Sequence, residues 1–262
     1  MRTSSKITGG AIVILLAVAA VVWAAALRED RGGLLTISFL NAGKSDVIFI
    51  DSPSGRSVLI DGGSDAGILR ELATVMPWWD RSIDVVIAGH PDAAHTTGLV
   101  DVLRRFHVSH AFHSNTRGSD PASLALARTL ADVEKKGMII GTLQRGRVVD
   151  LGPSTGSGQE RAHAYIEILF PDRDLSGAPA SVGCLEMRLI YGATSFMFSC
   201  GNAAIENYLV RLDADALHSD VLSINNGASA TTSPLFAGFV GAQYIAQSGM
   251  TFVSDGTTVS LK

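Results

Sequence analysis

Apolar residues in this chain fall in short runs broken by Gly, Pro, Ser and Asp, the punctuation expected of strands alternating with helices. Strand-like runs stand at 35–40, 47–50 and 58–60, and Pro53-Ser54-Gly55 turns the chain between the last two. From 67 to 75 the period changes to a helical one, carried by Ile68, Leu69, Leu72 and Val75 and ended by Pro77. A buried strand is expected at 85–88, then a helix reaching Phe106, then a strand at 108–112. Ser119-Asp120-Pro121 opens a helix to Lys136, with both lysines in its last turn and Gly137 as its stop. Short strands around Gly146 occupy 138–151, and 152–158 reads as a flexible Gly/Ser loop.

The second half repeats the style. Strands are expected at 165–170, 185–191 and 195–199, a helix at 204–212, a strand at 221–224 and a short helix at 235–240. Terminal strands follow at 244–246, 251–253 and 258–261. Runs of strands separated by helices point to two stacked sheets flanked by helices.

Residues 9–27 break the pattern with 19 uncharged, mostly apolar residues, about the length that crosses a ~30 Å hydrocarbon layer. Arg2 and Lys6 precede the run, whereas Arg28-Glu29-Asp30-Arg31 is neutral, so the N-terminus is expected inside. Ala24-Ala25-Ala26 also suits cleavage, so the run reads as a single-pass membrane anchor or as a secretory signal peptide. Either places the rest outside the cytoplasm. The organisation is then a short cytoplasmic segment at 1–8, the anchor or signal at 9–27, and one domain at 34–262, long enough to bury a sizeable core. The formal charge of −4 becomes −6 without Arg2 and Lys6. An acidic balance argues against a nucleic-acid partner, leaving the membrane and a protein or small molecule of unspecified identity.

The stretch with most chemistry is Gly89-His90-Pro91-Asp92-Ala93-Ala94-His95-Thr96-Thr97-Gly98, between the strand at 85–88 and the following helix. His90, Asp92 and His95 offer three groups suited to Zn or Mn. Other candidates are weaker. His107, His110 and His113 alternate faces along one strand, and Ser229 and Ser233 lack an evident His/Asp partner. Trp78-Trp79 reads as a packed loop or an exposed partner-binding edge. A hairpin centred on Gly192 would bring Cys184 and Cys200 opposite each other, compatible either with a disulfide or with two reduced thiols.

These segments resemble the metallo-β-lactamase fold, and within it the soluble domain of ComEC-type competence proteins, the DNA-uptake channels of bacteria. Phe39-Leu40-Asn41-Ala42-Gly43-Lys44-Ser45-Asp46 partly matches the family's opening Phe-Leu-Asp-Val-Gly-Gln-Gly-Asp. Leu59-Ile60-Asp61-Gly62-Gly63 matches Leu-Ile-Asp-Gly-Gly, and 90–98 resembles His-Pro-Asp-x-Asp-His-x-Gly-Gly. Residues 196–202, 220–229 and 254–259 occupy the places of later motifs. The resemblance implies a four-layer αββα sandwich, α/β (α+β) in class, after one N-terminal hydrophobic helix, with a two-metal site at one rim. There His90 and Asp92 would face one metal and His95 the other, while Asp46, Asp61, Gly62 and Gly63 would support the site. The chain departs from that pattern: Ala94 and Asn202 replace two carboxylates, Asn225-Asn226 (or Asn226-Gly227 if no gap is allowed) falls where the family has His-His, and residues 180–183 lack a ligand. The expectation is a metal-free, non-catalytic scaffold. The alternative is a mononuclear hydrolase of phosphodiester type using His90, Asp92 and His95.

Overall fold

Alternation along the first strands divides their side chains between two cores. On β1 (Leu35–Asn41), β2 (Asp46–Asp51) and β3 (Ser57–Ile60), Leu35, Ile37, Phe39, Ile48, Ile50, Val58 and Ile60 face a central core. The intervening Leu40, Val47, Phe49 and Leu59 face a second core under helices. A period of two with both faces apolar requires a sheet covered on both sides. The computed structural model describes residues 12, 14–19, 32–43, 45–116, 118–154, 162–224 and 232–262.

The first sheet has eight strands in the order β14-β13-β1-β2-β3-β4-β5-β6. β4 (Ser82–Ala88), β5 (His107–His113) and β6 (Ile139–Thr142) run parallel to β3, connected through α1 (Ile68–Val75), α2 (Ala93–Arg105) and α3 (Pro121–Glu134). Ile68, Leu72, Leu99, Val102, Leu103 and Leu126 of these helices close the second core. β13 (Thr251–Ser254) and β14 (Val259–Leu261) form a terminal hairpin beside β1.

The second sheet has six strands in the order β12-β11-β10-β9-β8-β7. β7 (Val148–Pro153), β8 (His163–Phe170), β9 (Glu186–Tyr191) and β10 (Thr194–Ser199) form an antiparallel meander. β11 (Val221–Ile224) and β12 (Tyr244–Ile245) then add parallel strands through α4 (Ala203–Asp213) and α5 (Pro234–Val240). Ile205, Leu209, Phe236 and Val240 cover this sheet's outer face. The layers are therefore helices, sheet, sheet, helices: the αββα sandwich expected from the sequence.

Two expectations need comment. Lys135 and Lys136 lie just past α3 rather than in its last turn. Gly137 (φ +101°) takes the left-handed position, its N–H donates to Glu134 O at 2.9 Å, and Met138 N–H donates to Val133 O at 3.3 Å. This Schellman closure satisfies the final carbonyls and puts the lysines at the helix's closing residues. The run 9–27 lies mostly outside the described residues; residues 14–19 are helical and exposed. Among the described residues no helix is long and apolar enough to cross a membrane.

The β3–α1 turn and α2 meet at backbone distance. Gly62 N–H donates to His95 O at 2.8 Å, and Gly98 N–H donates to Gly63 O at 3.2 Å. A Cβ on Gly98 would lie 2.0 Å from Gly62 O and 2.7 Å from Asp65 O, whereas one on Gly238 of α5 meets nothing within 4 Å. Gly98→Ala is therefore expected to lower unfolding free energy by about 2–3 kcal/mol or more. Gly238→Ala should change it by less than about 1 kcal/mol, in the stabilising direction. Urea unfolding of the two variants checks the contrast, and equal stabilities would contradict the close packing.

Candidate functional site

Asp61 stands at the end of β3 with its carboxylate fully buried and its backbone at φ +62°. Its N–H donates to Ile87 O at 2.8 Å, tying it to the neighbouring end of β4. The side chain explains why an uncommon conformation is held here. Oδ1 accepts from Gly89 N–H at 2.7 Å, and Oδ2 lies 3.1 Å from His90 Nδ1.

The next turn opens α2. Asp92 caps the helix, its Oδ1 accepting from Ala94 N–H at 2.9 Å and His95 N–H at 3.2 Å. The same oxygen lies 2.7 Å from His95 Nδ1. His95 is buried, and its ring stacks on that of His90 with centroids 4.0 Å apart and planes 17° from parallel. A carboxylate on Nδ1 favours the Nδ1–H tautomer in a neutral ring and leaves Nε2 as the lone-pair atom. His90 is 8% exposed, and its Nε2 has no hydrogen-bond partner among the described residues. Burial alone would raise the Asp92 carboxyl, but the His95 hydrogen bond, both histidines and the Ala94 amide outweigh it and hold the carboxyl below its ordinary range.

The two sheets join at this rim. Leu185 N–H, just ahead of β9, donates to Gly89 O at 2.8 Å, setting Cys184 beside His90. Cys184 and Cys200 are bonded to each other. One ring nitrogen of His90 and both sulfurs lie within 4.8 Å of one another. A second close set is Asp61, His90 and His95.

The structure thus gathers His90 and His95 with Asp61, while Asp92 lies on the helix-capping side of His95. Ala94 offers its carbonyl to Ser45 Oγ–H at 2.6 Å and no side-chain ligand. Asn202 caps α4, accepting from Ala204 N–H at 3.1 Å and Ile205 N–H at 3.4 Å. Asp46 begins β2, where Ser248 donates to it. Asn225, Asn226 and Ser229 lie outside the described residues, as does most of the loop expected at 152–158. Among the other candidates, His113 shares a groove of about 540 Å³ with His90, Thr116 and Ser123, and Trp78 and Trp79 are exposed, edge to face.

Sequence reading missed a buried acidic pair behind the disulfide. Glu186 and Glu206 are both 0% exposed. Ser199 Oγ–H donates to Glu206 Oε1 at 2.7 Å and lies 3.3 Å from Glu186 Oε1. Ser233 N–H donates to Glu206 Oε2 at 2.5 Å, and Cys200 N–H donates to Glu186 Oε1 at 3.2 Å. Cys200 Sγ is 3.0 Å from Glu186 Oε1. Burial, reinforced by the charge of Glu206, pushes the Glu186 carboxyl well above the ordinary range. The available signal was a glutamate set directly between the apolar Leu185 and Met187.

No family model matches the chain, and no curated protein matches it. Solved structures similar to it include the metallo-beta-lactamase fold protein YhfI from Bacillus subtilis, at 14% identity and TM-score 0.49, covering 83% of this chain and 98% of that one. Igni18, a metallo hydrolase from the hyperthermophilic archaeon Ignicoccus hospitalis, is 12% identical at TM-score 0.48, covering 84% and 98%. A diphosphatase from the PhnP family is 12% identical at TM-score 0.42, covering 83% and 96%. The mixed α/β, two-sheet sandwich of this chain is established by its own layers and strand order.

The raised Glu186 carboxyl has a definite pH signature. Between the ordinary glutamate value of about 4.3 and the raised folded value, the unfolded chain has lost a proton that the folded chain keeps. Stability therefore falls as pH rises through that window, by at most about 1.4 kcal/mol per unit. In denaturant unfolding, Glu186→Gln should remove this fall and gain on the wild type as pH rises above the ordinary glutamate value. Parallel pH profiles would show that Glu186 does not retain its proton on folding.

Proposed function

We propose that this domain acts as a ComEC-like binding scaffold on a metallo-β-lactamase-type sandwich, without a two-metal centre. The observation carrying this reading is how the side-chain oxygens at two of the ligand positions are already engaged. Asp92 Oδ1 is held by two backbone amides and His95 Nδ1. Asn202 Oδ1 is held by the first turn of α4. Ala94 has no donor, and disulfide sulfurs beside His90 are poor ligands until reduced. A two-metal centre needs carboxylates to balance two cations, so these residues do not fit it. Catalytic zinc usually keeps three protein ligands.

What Asp61, His90 and His95 do instead is structural. They cross-link β3, β4 and α2 through hydrogen bonds that a core of this size must satisfy. The groove beside His90, lined by Thr116, Ser123, Leu126 and Leu130, supplies a concave surface suited to a small molecule or peptide segment. In this reading the membrane segment holds the domain at the outer face of the membrane.

The test is elemental analysis of the full chain, purified without reductant after growth with zinc and manganese, together with hydrolysis of bis(p-nitrophenyl) phosphate. The expected result is less than about 0.1 metal per chain, no hydrolysis above buffer, and no change in either for His90→Ala. Near-stoichiometric metal that His90→Ala removes, with hydrolysis lost in parallel, would replace this reading by the mononuclear hydrolase.

A further inference from the structure

We infer that reduction of the Cys184–Cys200 disulfide creates a zinc site from Cys184, Cys200 and His90, so that the chain exchanges a covalent bridge for a soft-metal bridge. The inference goes beyond the scaffold reading, which concerns the oxidised chain.

Three observations carry it. A ring nitrogen of His90 and both sulfurs already lie within 4.8 Å of one another, all three residues buried. His90 Nδ1 faces the Asp61 carboxylate, and its Nε2 is buried with no partner among the described residues. A carboxylate-backed imidazole of this kind is oriented and made more basic for a metal. The backbone that sets the three residues together is also held by bonds that do not pass through the S–S bond: Leu185 N–H donates to Gly89 O, and Cys200 N–H donates to Glu186 Oε1.

Little movement is required. Zinc holds thiolates at about 2.3 Å and imidazole nitrogen at about 2.0–2.1 Å, which separates its ligand atoms by roughly 3.5–3.8 Å in a tetrahedron. Small rotations about the cysteine side chains accomplish this. Two thiolates favour zinc over manganese or magnesium. The fourth position remains for solvent reaching His90 along the groove it shares with Thr116 and Ser123. Three protein ligands and one open position is the arrangement of catalytic rather than structural zinc.

The chemistry balances with a dithiol as reductant. Its thiolate attacks one sulfur of the bridge, the S–S bond breaks, and a mixed disulfide forms. Its second thiol closes the reductant's own disulfide and releases the other cysteine. Two electrons and two protons have then passed to Cys184 and Cys200. Zinc binding displaces both thiol protons to solvent, so affinity rises with pH.

The experiment uses the full chain, oxidised and after reduction with excess dithiol followed by its removal under anaerobic conditions. Zinc is titrated against a chromophoric chelator, and Co²⁺ is added in parallel for its thiolate-to-metal charge-transfer band. The expected result is about one zinc per reduced chain, at least about 100-fold tighter than in the oxidised chain, with the charge-transfer band present. Cys184→Ser, Cys200→Ser and His90→Ala, each reduced, should weaken zinc by at least about tenfold. The cobalt spectrum of the reduced wild type decides the matter even where a variant folds poorly. Reduced chain that takes no zinc, or cobalt without a charge-transfer band, would overturn the inference while leaving the scaffold reading intact. Metal bound by the oxidised chain bears on the scaffold reading alone, because the readout here is the gain on reduction.

Discussion

The rim of this sandwich depends on one buried carboxylate. Asp61 has no exposure, so its carboxyl oxygens must find partners inside the protein, and Gly89 N–H and His90 are among them. That requirement fixes the end of β3 against the end of β4. It turns the His90 ring to a single orientation, and through Gly62 and Gly63 it seats the first turn of α2. The close approach at Gly98 follows, because only a residue without Cβ lets α2 come near enough to the β3–α1 turn. Leu185 then hangs the second sheet on the same loop through Gly89 O. One buried carboxyl group thereby helps to position three strands, one helix and the disulfide.

The rim combines two kinds of polar group. Asp61 and Asp92 have amide and imidazole partners placed by backbone geometry, and each serves a helix or strand end. Glu186 differs: one oxygen has partners, and the other is buried with none among the described residues. A protonated carboxyl tolerates that environment better than a carboxylate does, which is the physical content of its raised pKa. Glu206, bonded to Ser199 and Ser233, sits on the far side of the same serine. The turn after β10 therefore packs a covalent cross-link against a fully buried carboxyl pair.

Much of this was legible in the chain. Period-two runs with both faces apolar gave the strands of the first sheet, and Asp120-Pro121 marked the start of α3 because a capping carboxylate and a proline suit that turn. The hairpin about Gly192 located the cysteine pair because register in a tight hairpin is fixed by its loop. Other features depend on packing between segments far apart in the sequence. Glu186 and Glu206 meet only because α4 folds back over β9 and β10, and nothing near either residue announces the other. Asp92 reads from its spacing as a candidate metal ligand; its role as a helix cap appears only once its φ and its amide partners are known.

The placement of β1 has a consequence for how the molecule is made. Its first residues pair with β13 on one side, and Ser38 and Thr251 meet across 213 residues of chain. Until that distant hairpin is available, β1 presents an open, apolar edge in the middle of what will be the larger sheet. Such long-range closure is slow compared with local helix and hairpin formation. A ribosome-bound chain would hold this edge exposed for most of its synthesis, when a holdase chaperone has most to gain by covering it.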